Sequence, residues 1–168
     1  TSILLSQSDK NTIKKEYSAI FDQKYYKFIG PQPVSMSLQE INPENPNSIF
    51  HGYVVTEKAD GLRSQLLIAK DKQGYLLTTR DIIATGIIFD TESTWLFDGE
   101  YITTNKLGQP IQLYMIFDIY HEGSQKYPEE IYKYPWIGKK SKDICRSFVM
   151  EDFQQNVTIF YGDSPMKI

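Results

Sequence analysis

The stretch from residue 53 to residue 120 most constrains the fold, because it consists almost entirely of strand-forming and turn-forming sequence. Runs rich in β-branched and aromatic residues are typical of β-strands. The predicted strands are 53–58, 62–70, 75–80, 94–103 and 111–120. The clearest hairpin connections are residues 72–74 (Lys-Gln-Gly) and residues 105–108 (Asn-Lys-Leu-Gly). This short spacing predicts an antiparallel meander rather than a regular alternation of parallel strands and helices.

Helical patterns flank this strand-rich core on both sides. Residues 12–24 carry apolar side chains at the spacing of one helical face, with Thr12 as the predicted N-cap. The proline-rich residues 30–48 predict a loop. Ser141 is the predicted N-cap of a second helix, and residues 157–161 predict another short strand. The order of helix, strand-rich core and helix places the chain in the α+β class.

Length and charge limit the classes of function. With 168 residues, the chain has room for one domain with a real core, or for part of a larger one. The net charge of −3 argues against a dedicated nucleic-acid-binding module, although an enzyme that contacts only an RNA end needs just a small basic patch. No apolar stretch is long enough to cross a bilayer, so we expect a soluble, intracellular protein that does not contact a membrane.

Residues 58–63, Lys-Ala-Asp-Gly-Leu-Arg, place an amine and a guanidinium on either side of a glycine turn. An amine attacks phosphorus only when unprotonated, and burial beside a fixed cation lowers the pKa of a lysine. The planar fork of an arginine binds phosphoryl oxygens. The pattern therefore suggests Lys58 as a nucleophile beside Arg63. Taken alone, the hexapeptide is equally compatible with a solvated, charged turn.

Two later segments give the hexapeptide a context. Residues 96–102 contain Asp98-Gly99-Glu100, and residues 113–120 read Leu-Tyr-Met-Ile-Phe-Asp-Ile-Tyr. In order and spacing, the three segments resemble the motifs of the covalent nucleotidyltransferases. That superfamily contains the ATP-dependent polynucleotide ligases and the GTP-dependent mRNA capping enzymes.

A fourth segment distinguishes between these two groups. Residues 28–36, Phe-Ile-Gly-Pro-Gln-Pro-Val-Ser-Met, resemble the segment that leads into the guanylyltransferase domain of capping enzymes and that ligases usually lack. Ala59 and Leu62 within the hexapeptide also resemble capping enzymes. The sequence of residues 53–61 is most similar to the corresponding segment in the capping enzymes of large cytoplasmic DNA viruses, of the asfarvirus and giant-virus kinds.

The resemblance covers residues 28–120, and it implies a domain that this chain contains in part. We expect residues 1–27 to be a helical lead-in or linker. Residues 28–168 would then form the N-terminal, incomplete part of a guanylyltransferase domain, the antiparallel, ATP-grasp-like half of the ligase and capping-enzyme fold. The later metal-directed Glu-Gly strand, the Lys-x-Lys strand and the OB-fold domain are not recognisable. We therefore expect a fragment that forms the covalent intermediate poorly alone.

The resemblance also implies a reaction. Lys58 attacks the α-phosphorus of GTP and expels pyrophosphate, leaving GMP on its amine, and the 5′-diphosphate end of an RNA then accepts the GMP as a cap. Both steps are in-line displacements in which positioning and charge neutralisation dominate. A divalent cation, Mg²⁺ or Mn²⁺, is expected to offset phosphate charge, with no ligands assigned. Expected partners are GTP, the RNA end, and RNA triphosphatase and methyltransferase modules in the same or an associated chain.

Four further residues match the nucleotide-binding positions of the family. Arg63 matches the arginine that contacts the ribose, and Glu100 the carboxylate that binds its hydroxyls, although Asp-Gly near a strand end also makes a turn. Phe117 matches the aromatic residue that stacks on the purine, but a strand phenylalanine is more often a core residue. Arg80 matches a second ribose- or phosphate-contacting arginine more loosely, and a surface ion pair with Asp81 or a neighbour is the alternative.

Three functions remain open from the sequence. The first is a GTP-dependent mRNA guanylyltransferase, found in a cytoplasmic viral factory or virion if viral and in the nucleus if cellular. The second is the adenylation domain of an ATP-dependent RNA or DNA ligase. The third is a catalytically incomplete scaffold that retains half of a nucleotide pocket.

Overall fold

The fold is built on a curled, six-stranded antiparallel sheet with few helices. The computed structural model describes residues 4–55 and 60–168, so residues 56–59, which include Lys58, lie outside the described residues. The strands are β1 (Leu62–Ile68), β2 (Gln73–Leu77), β3 (Ile82–Asp90), β4 (Trp95–Thr104), β5 (Pro110–Glu122) and β6 (Thr158–Phe160). Their order is β5-β4-β1-β2-β3-β6, and every neighbouring pair is antiparallel. The predicted α+β class is confirmed.

The sheet is only partly a meander. Strands β1, β2 and β3 follow one another, and β4 and β5 form a second hairpin, but β4 returns to the opposite edge of β1. In that pairing Arg63 lies directly opposite Glu100, and Gln65 lies opposite Asp98. Side chains on paired positions of antiparallel strands share one face of the sheet. The β1–β4 pairing therefore brings Leu62 and Arg63, the last two residues of the hexapeptide, next to the Asp-Gly-Glu motif.

The predicted hairpin between residues 53–58 and 62–70 is wrong in its described part. Residues 53–55 contain no strand, residues 56–58 lie outside the described residues, and β1 pairs with β2 and β4. Runs of β-branched and aromatic residues show where strands lie, but they do not show which strands pair. They therefore could not reveal that β1 pairs with β4 and not with the residues just before it.

Strand β3 was not predicted, and the strand predicted over residues 75–80 is shorter in the structure. Strand β2 ends at Leu77 because Thr78 closes a turn, where its hydroxyl accepts hydrogen bonds from the backbone N–H groups of Arg80 and Asp81 at 3.2 and 3.0 Å. Gly86 has a φ of 73° and interrupts the apolar pattern of β3 at an irregularity in its pairing with β2. The hairpin connection at residues 105–108 is confirmed, and the other turn lies slightly earlier, at residues 69–72.

Each main helix is displaced from its prediction. Helix α1 (Gln7–Ile20) begins at Ser6, whose hydroxyl accepts a hydrogen bond from the Asp9 N–H, whereas Thr12 lies inside the helix. The loop-rich segment contains one short helix, α2 (Leu38–Ile41), and residues 131–133 form a 3₁₀ helix. Helix α3 (Arg146–Asn156) begins after Cys145 instead of Ser141. Strand β6 confirms the short strand predicted at residues 157–161.

Helices cover both faces of the sheet and create two core layers. On one face, Ile13 and Tyr17 of α1 pack against apolar side chains of β1, β2, β3 and β4. On the other face, Val149 and Phe153 of α3 pack on a more aromatic layer. The Phe153 ring centroid lies 4.6 Å from that of Phe97 and 5.0 Å from that of Trp95. Because both faces are covered, the central strand β1 is buried from its third residue onward.

The C-terminal segment spans the sheet from one side to the other. Beside β3, the Ser164 hydroxyl donates a hydrogen bond of 2.6 Å to the Thr85 carbonyl oxygen. Beside β5, Lys167 pairs with Leu113 in a parallel bridge, supported by hydrogen bonds to Gln112 and Tyr114. The segment therefore joins the two halves of the curled sheet. Among the residues that the structure describes, no helix has the length and apolar character needed to cross a membrane.

Candidate nucleotide site

The centre of the candidate site is an ion pair between β1 and β4. The Nε and Nη2 atoms of Arg63 donate to the two carboxylate oxygens of Asp98 at 3.2 and 2.7 Å. The Asp98 side chain is 3% exposed and that of Arg63 is 24% exposed. Hydrogen bonding to the carboxylate raises the pKa of Arg63 above its ordinary value. The guanidinium is therefore a fixed positive charge at the edge of a buried carboxylate.

The segment that resembles the approach to the capping domain lies directly on this ion pair. Pro31 accepts a hydrogen bond from Nη1 of Arg63 through its carbonyl oxygen. Gly30 passes so close that a Cβ atom there would lie 2.8 Å from Nη2 of Arg63 and 3.2 Å from the hydroxyl oxygen of Tyr120. A larger residue at this position would have to displace the ends of these side chains, so glycine suits this close approach. The structure thus brings together segments that are more than 30 residues apart in sequence.

Glu100 adds an acceptor that no described residue satisfies. It lies opposite Arg63 in the β1–β4 pairing, yet Arg63 pairs with Asp98 instead. The Oε2 atom of Glu100 is buried and has no hydrogen-bond partner among the described residues. A buried carboxylate oxygen without a partner costs free energy unless a ligand donates to it. The arrangement suits a hydroxyl-bearing ligand, since hydroxyls are donors.

Two irregularities in β5 fall at aromatic residues, and one of these residues contacts the ion pair. The pairing with β4 skips Phe117 and Tyr120, so each is the extra residue of a β-bulge, a feature that redirects side chains. The Tyr120 hydroxyl donates to Asp98 at 3.1 Å. Burial and the neighbouring Asp98 carboxylate raise the pKa of Tyr120 well above its usual value, so the hydroxyl stays protonated. Phe117 is 41% exposed, which leaves part of its ring available for a contact.

A second ion pair holds β5 from the opposite side. Asp118, which lies opposite Asp98 in the strand pairing, accepts a hydrogen bond from Arg146 at the start of α3. Burial raises the pKa of Asp118 above its ordinary value, although Arg146 opposes that shift. Both side chains are about one quarter exposed. This pair fixes the residue that follows Phe117 and links α3 to the bulged strand.

The structure brings together some of the predicted site residues. Arg63 and Glu100 lie opposite each other, and Phe117 lies one position before the cross-strand partner of Asp98. Arg80 lies in the exposed turn between β2 and β3, not on a strand, and within the described residues no hydrogen bond connects it to that group. Its neighbour Asp81 pairs with Lys10 at 2.7 Å. Lys58 lies outside the described residues.

Several residues of the site were not predicted. Asp98 lies within the Asp-Gly-Glu motif and Tyr120 is the last residue of segment 113–120, so a signal for both was present. Gln65 and Tyr17 had no such signal, yet both are fully buried and their side chains share a hydrogen bond of 2.6 Å.

The described residues offer no ready-made metal centre. They contain no group of three or more His, Cys, Asp or Glu side chains arranged to hold an ion. Mg²⁺ in nucleotide enzymes is commonly held by one or two carboxylates together with substrate phosphates. Residues 4–55 and 60–168 therefore give no basis for assigning ligands.

Two cavities lie away from the ion pair. An open groove of about 1090 Å³ runs between β3, the β4–β5 hairpin and residues 163–166, and contains none of the predicted site residues. A smaller cavity of about 260 Å³ lies beside α1 and is lined by His121, Glu16 and Glu129 among others. Burial lowers the pKa of His121 below its ordinary value.

We expect His121 to make the fold sensitive to mild acid. Its pKa is lower in the folded chain than the unfolded value of about 6.5, so the unfolded chain binds more protons between those two values. The free energy of unfolding should therefore be fully retained above about pH 6.5 and fall as the pH drops below it. His121→Gln should flatten this part of a plot of melting temperature against pH. Equal slopes for wild type and His121→Gln would contradict the assignment.

Comparison with known families agrees with this geometry. The model of the family described as "mRNA capping enzyme, catalytic domain" matches residues 2–147. The match includes all four segments that meet at the site and extends beyond residues 28–120 on both sides. No curated protein matches the chain.

Proposed function

This chain belongs to the mRNA capping enzyme catalytic domain family, and on that premise we propose that it is a GTP:mRNA guanylyltransferase in which Lys58 carries GMP. Membership makes the chain a nucleotidyltransferase of mRNA capping. The choice of GTP, the lysyl-GMP intermediate and the RNA acceptor belong to the proposal. We also propose a viral origin, because the sequence of residues 53–61 resembles asfarvirus and giant-virus capping enzymes.

The observation that carries the proposal is the buried Oε2 atom of Glu100, which has no hydrogen-bond partner within the described part of the chain, beside the fixed Arg63 guanidinium. A ribose presents adjacent hydroxyl groups that are good donors to a carboxylate. Arg63 supplies a positive charge at the same edge of β1, within the hexapeptide that contains Lys58. These features support a site that holds a nucleotide by its sugar, close to the proposed nucleophile.

The proposed first step forms one bond and breaks one. The unprotonated Lys58 amine bonds to the α-phosphorus of GTP, the bond from that phosphorus to the bridging oxygen breaks, and pyrophosphate leaves while the nitrogen loses a proton. In the second step, a terminal phosphate oxygen of the RNA 5′-diphosphate attacks the same phosphorus, and Lys58 leaves and regains its proton. Glu100 and Arg63 would hold the sugar through both steps, and Phe117 would support the base.

A divalent cation is part of the proposal only as a companion of the GTP phosphates. The described residues contain no cluster of carboxylate, histidine or cysteine side chains that could hold it, so its ligands would come mainly from the phosphates. Arg80 lies in the exposed turn between β2 and β3. It would contact a phosphate if that turn faces the bound nucleotide. Triphosphatase and methyltransferase modules and the cellular location remain proposals from the family resemblance.

A labelling experiment tests nucleotide choice. The longest available form of the protein is incubated with α-³²P-labelled GTP or ATP and Mg²⁺ or Mn²⁺, then separated under denaturing conditions. We expect label from GTP that survives detergent, is released by acid, and moves to RNA with a 5′-diphosphate end. Label from ATP alone would instead support a ligase, and no label from folded protein would support a scaffold.

A further inference from the structure

A buried hydrogen-bond network connects helix α1 to the Arg63 ion pair. Tyr17 is fully buried, and its hydroxyl donates to the Gln65 side-chain oxygen at 2.6 Å while accepting from the Ile29 N–H at 2.9 Å. Gln65, also fully buried, donates its side-chain N–H to the Ile29 carbonyl oxygen. Burial raises the pKa of Tyr17 well above its usual value, which keeps the hydroxyl a donor.

The two side chains satisfy both backbone groups of a single loop residue. Ile29 gives its N–H to Tyr17 and receives a hydrogen bond at its carbonyl from Gln65. A loop residue held at both its donor and its acceptor has little freedom to shift. Gly30 and Pro31 follow immediately, so their position relative to β1 is fixed by the same contacts.

That position determines what Arg63 can do. Nη1 of Arg63 donates to Pro31, Nε and Nη2 donate to Asp98, and Nη2 also approaches Tyr120 at 3.5 Å. Within residues 4–55 and 60–168, these contacts use four of the five N–H donors of the guanidinium and leave one on Nη1. The Asp98 carboxylate and the Pro31 carbonyl therefore orient the remaining donor together, and the position of Pro31 depends in turn on Ile29.

We propose that Tyr17 and Gln65 are positioning residues of the nucleotide site, which hold residues 29–31 against Arg63 so that its one remaining donor is aimed before the nucleotide binds. The inference rests on the proposed function, because it assumes that Arg63 contacts the nucleotide. Neither Tyr17 nor Gln65 touches the substrate. Helix α1 thereby takes part in nucleotide binding through a hydroxyl buried in the core.

The variant Tyr17→Phe tests this role because it keeps the ring and removes only the hydroxyl. Losing the two hydrogen bonds of this hydroxyl should raise KM for GTP in the formation of the covalent intermediate roughly tenfold, with kcat changed less than about twofold. Tyr75→Phe is the matched control, since Tyr75 packs in the same core layer and its hydroxyl donates to Asp71 at 2.6 Å, away from residues 29–31. It should leave KM unchanged even where it lowers the melting temperature.

A second measurement does not depend on activity. In NMR spectra, Tyr17→Phe should speed amide exchange at Ile29 and shift the Arg63 Nε–H resonance, whereas Tyr75→Phe should change neither. Unchanged Ile29 exchange, or the same rise in KM in both variants, overturns the positioning role and leaves the proposed function intact. If wild type takes no label from GTP, the proposed function fails, and the NMR comparison still decides whether Tyr17 positions Arg63.

Discussion

Replacing Lys58 with alanine will abolish covalent labelling from GTP, lowering it by at least about a thousandfold, because no other group is proposed to form the phosphoramide bond. Lys58→Arg should fail as completely. A guanidinium keeps the positive charge but has a pKa above about 12, so it is not available as an unprotonated nucleophile at neutral pH. Loss in both variants therefore separates nucleophilic attack from simple charge attraction.

The matched control is Lys70→Ala, which removes an exposed lysine shortly after β1 in the same part of the sequence. Its labelling should stay within about twofold of wild type, since surface charges contribute little. Circular dichroism should show that all three variants are folded. Substantial label on folded Lys58→Ala would contradict the proposal that Lys58 carries GMP.

The second large effect is expected for Asp98→Asn. The substitution keeps the size of the side chain but removes the charge that Arg63 faces in a buried position, and it weakens the acceptor of the Tyr120 hydroxyl. Breaking a buried ion pair by changing one partner typically costs about 3–5 kcal/mol. Because Arg63 is 24% exposed, we expect the lower end, about 3 kcal/mol, or a fall in melting temperature of about 10 °C.

Asp118→Asn is the comparison for that measurement, because Asp118 lies opposite Asp98 and also pairs with an arginine. Its side chain is 25% exposed, and its burial already disfavours the ionised form, so the neutral replacement should cost only about 1 kcal/mol. Thermal denaturation of both variants measures the difference. Equal losses of unfolding free energy in the two variants would mean that the Arg63–Asp98 pair stabilises the fold no more than the Arg146–Asp118 pair does.

The strand-rich core was predictable because its pattern is local. Runs rich in β-branched and aromatic residues and the Asn-Lys-Leu-Gly turn depend on neighbours in sequence, and both predictions are confirmed in β4, β5 and their connection. Strand β3 was missed because Gly86 divides its apolar run, and glycine inside a strand normally indicates a break. Helix α1 was placed too late because its first turn is polar and carries no periodic signal before Ile13.

The composition of the site was only half predictable. Motif resemblance identified Arg63 and Glu100, which the strand pairing indeed places opposite each other. It did not reveal that Arg63 pairs with Asp98 rather than with Glu100, because that choice depends on the geometry of two strands 35 residues apart. The contact of Tyr17 with Gln65 spans 48 positions and depends on how α1 lies across the sheet, which no local pattern encodes.

The strap formed by residues 164–167 has a consequence for synthesis of the protein. It ties Thr85 to one side and Leu113 to the other, so these contacts can form only after residues 164–167 have been synthesised. Until that strap leaves the ribosome, the edge of β5 beside Leu113 stays open, and an open strand edge invites pairing with other chains. Nascent chains halted before residue 164 should therefore depend on chaperones more than those halted well beyond it.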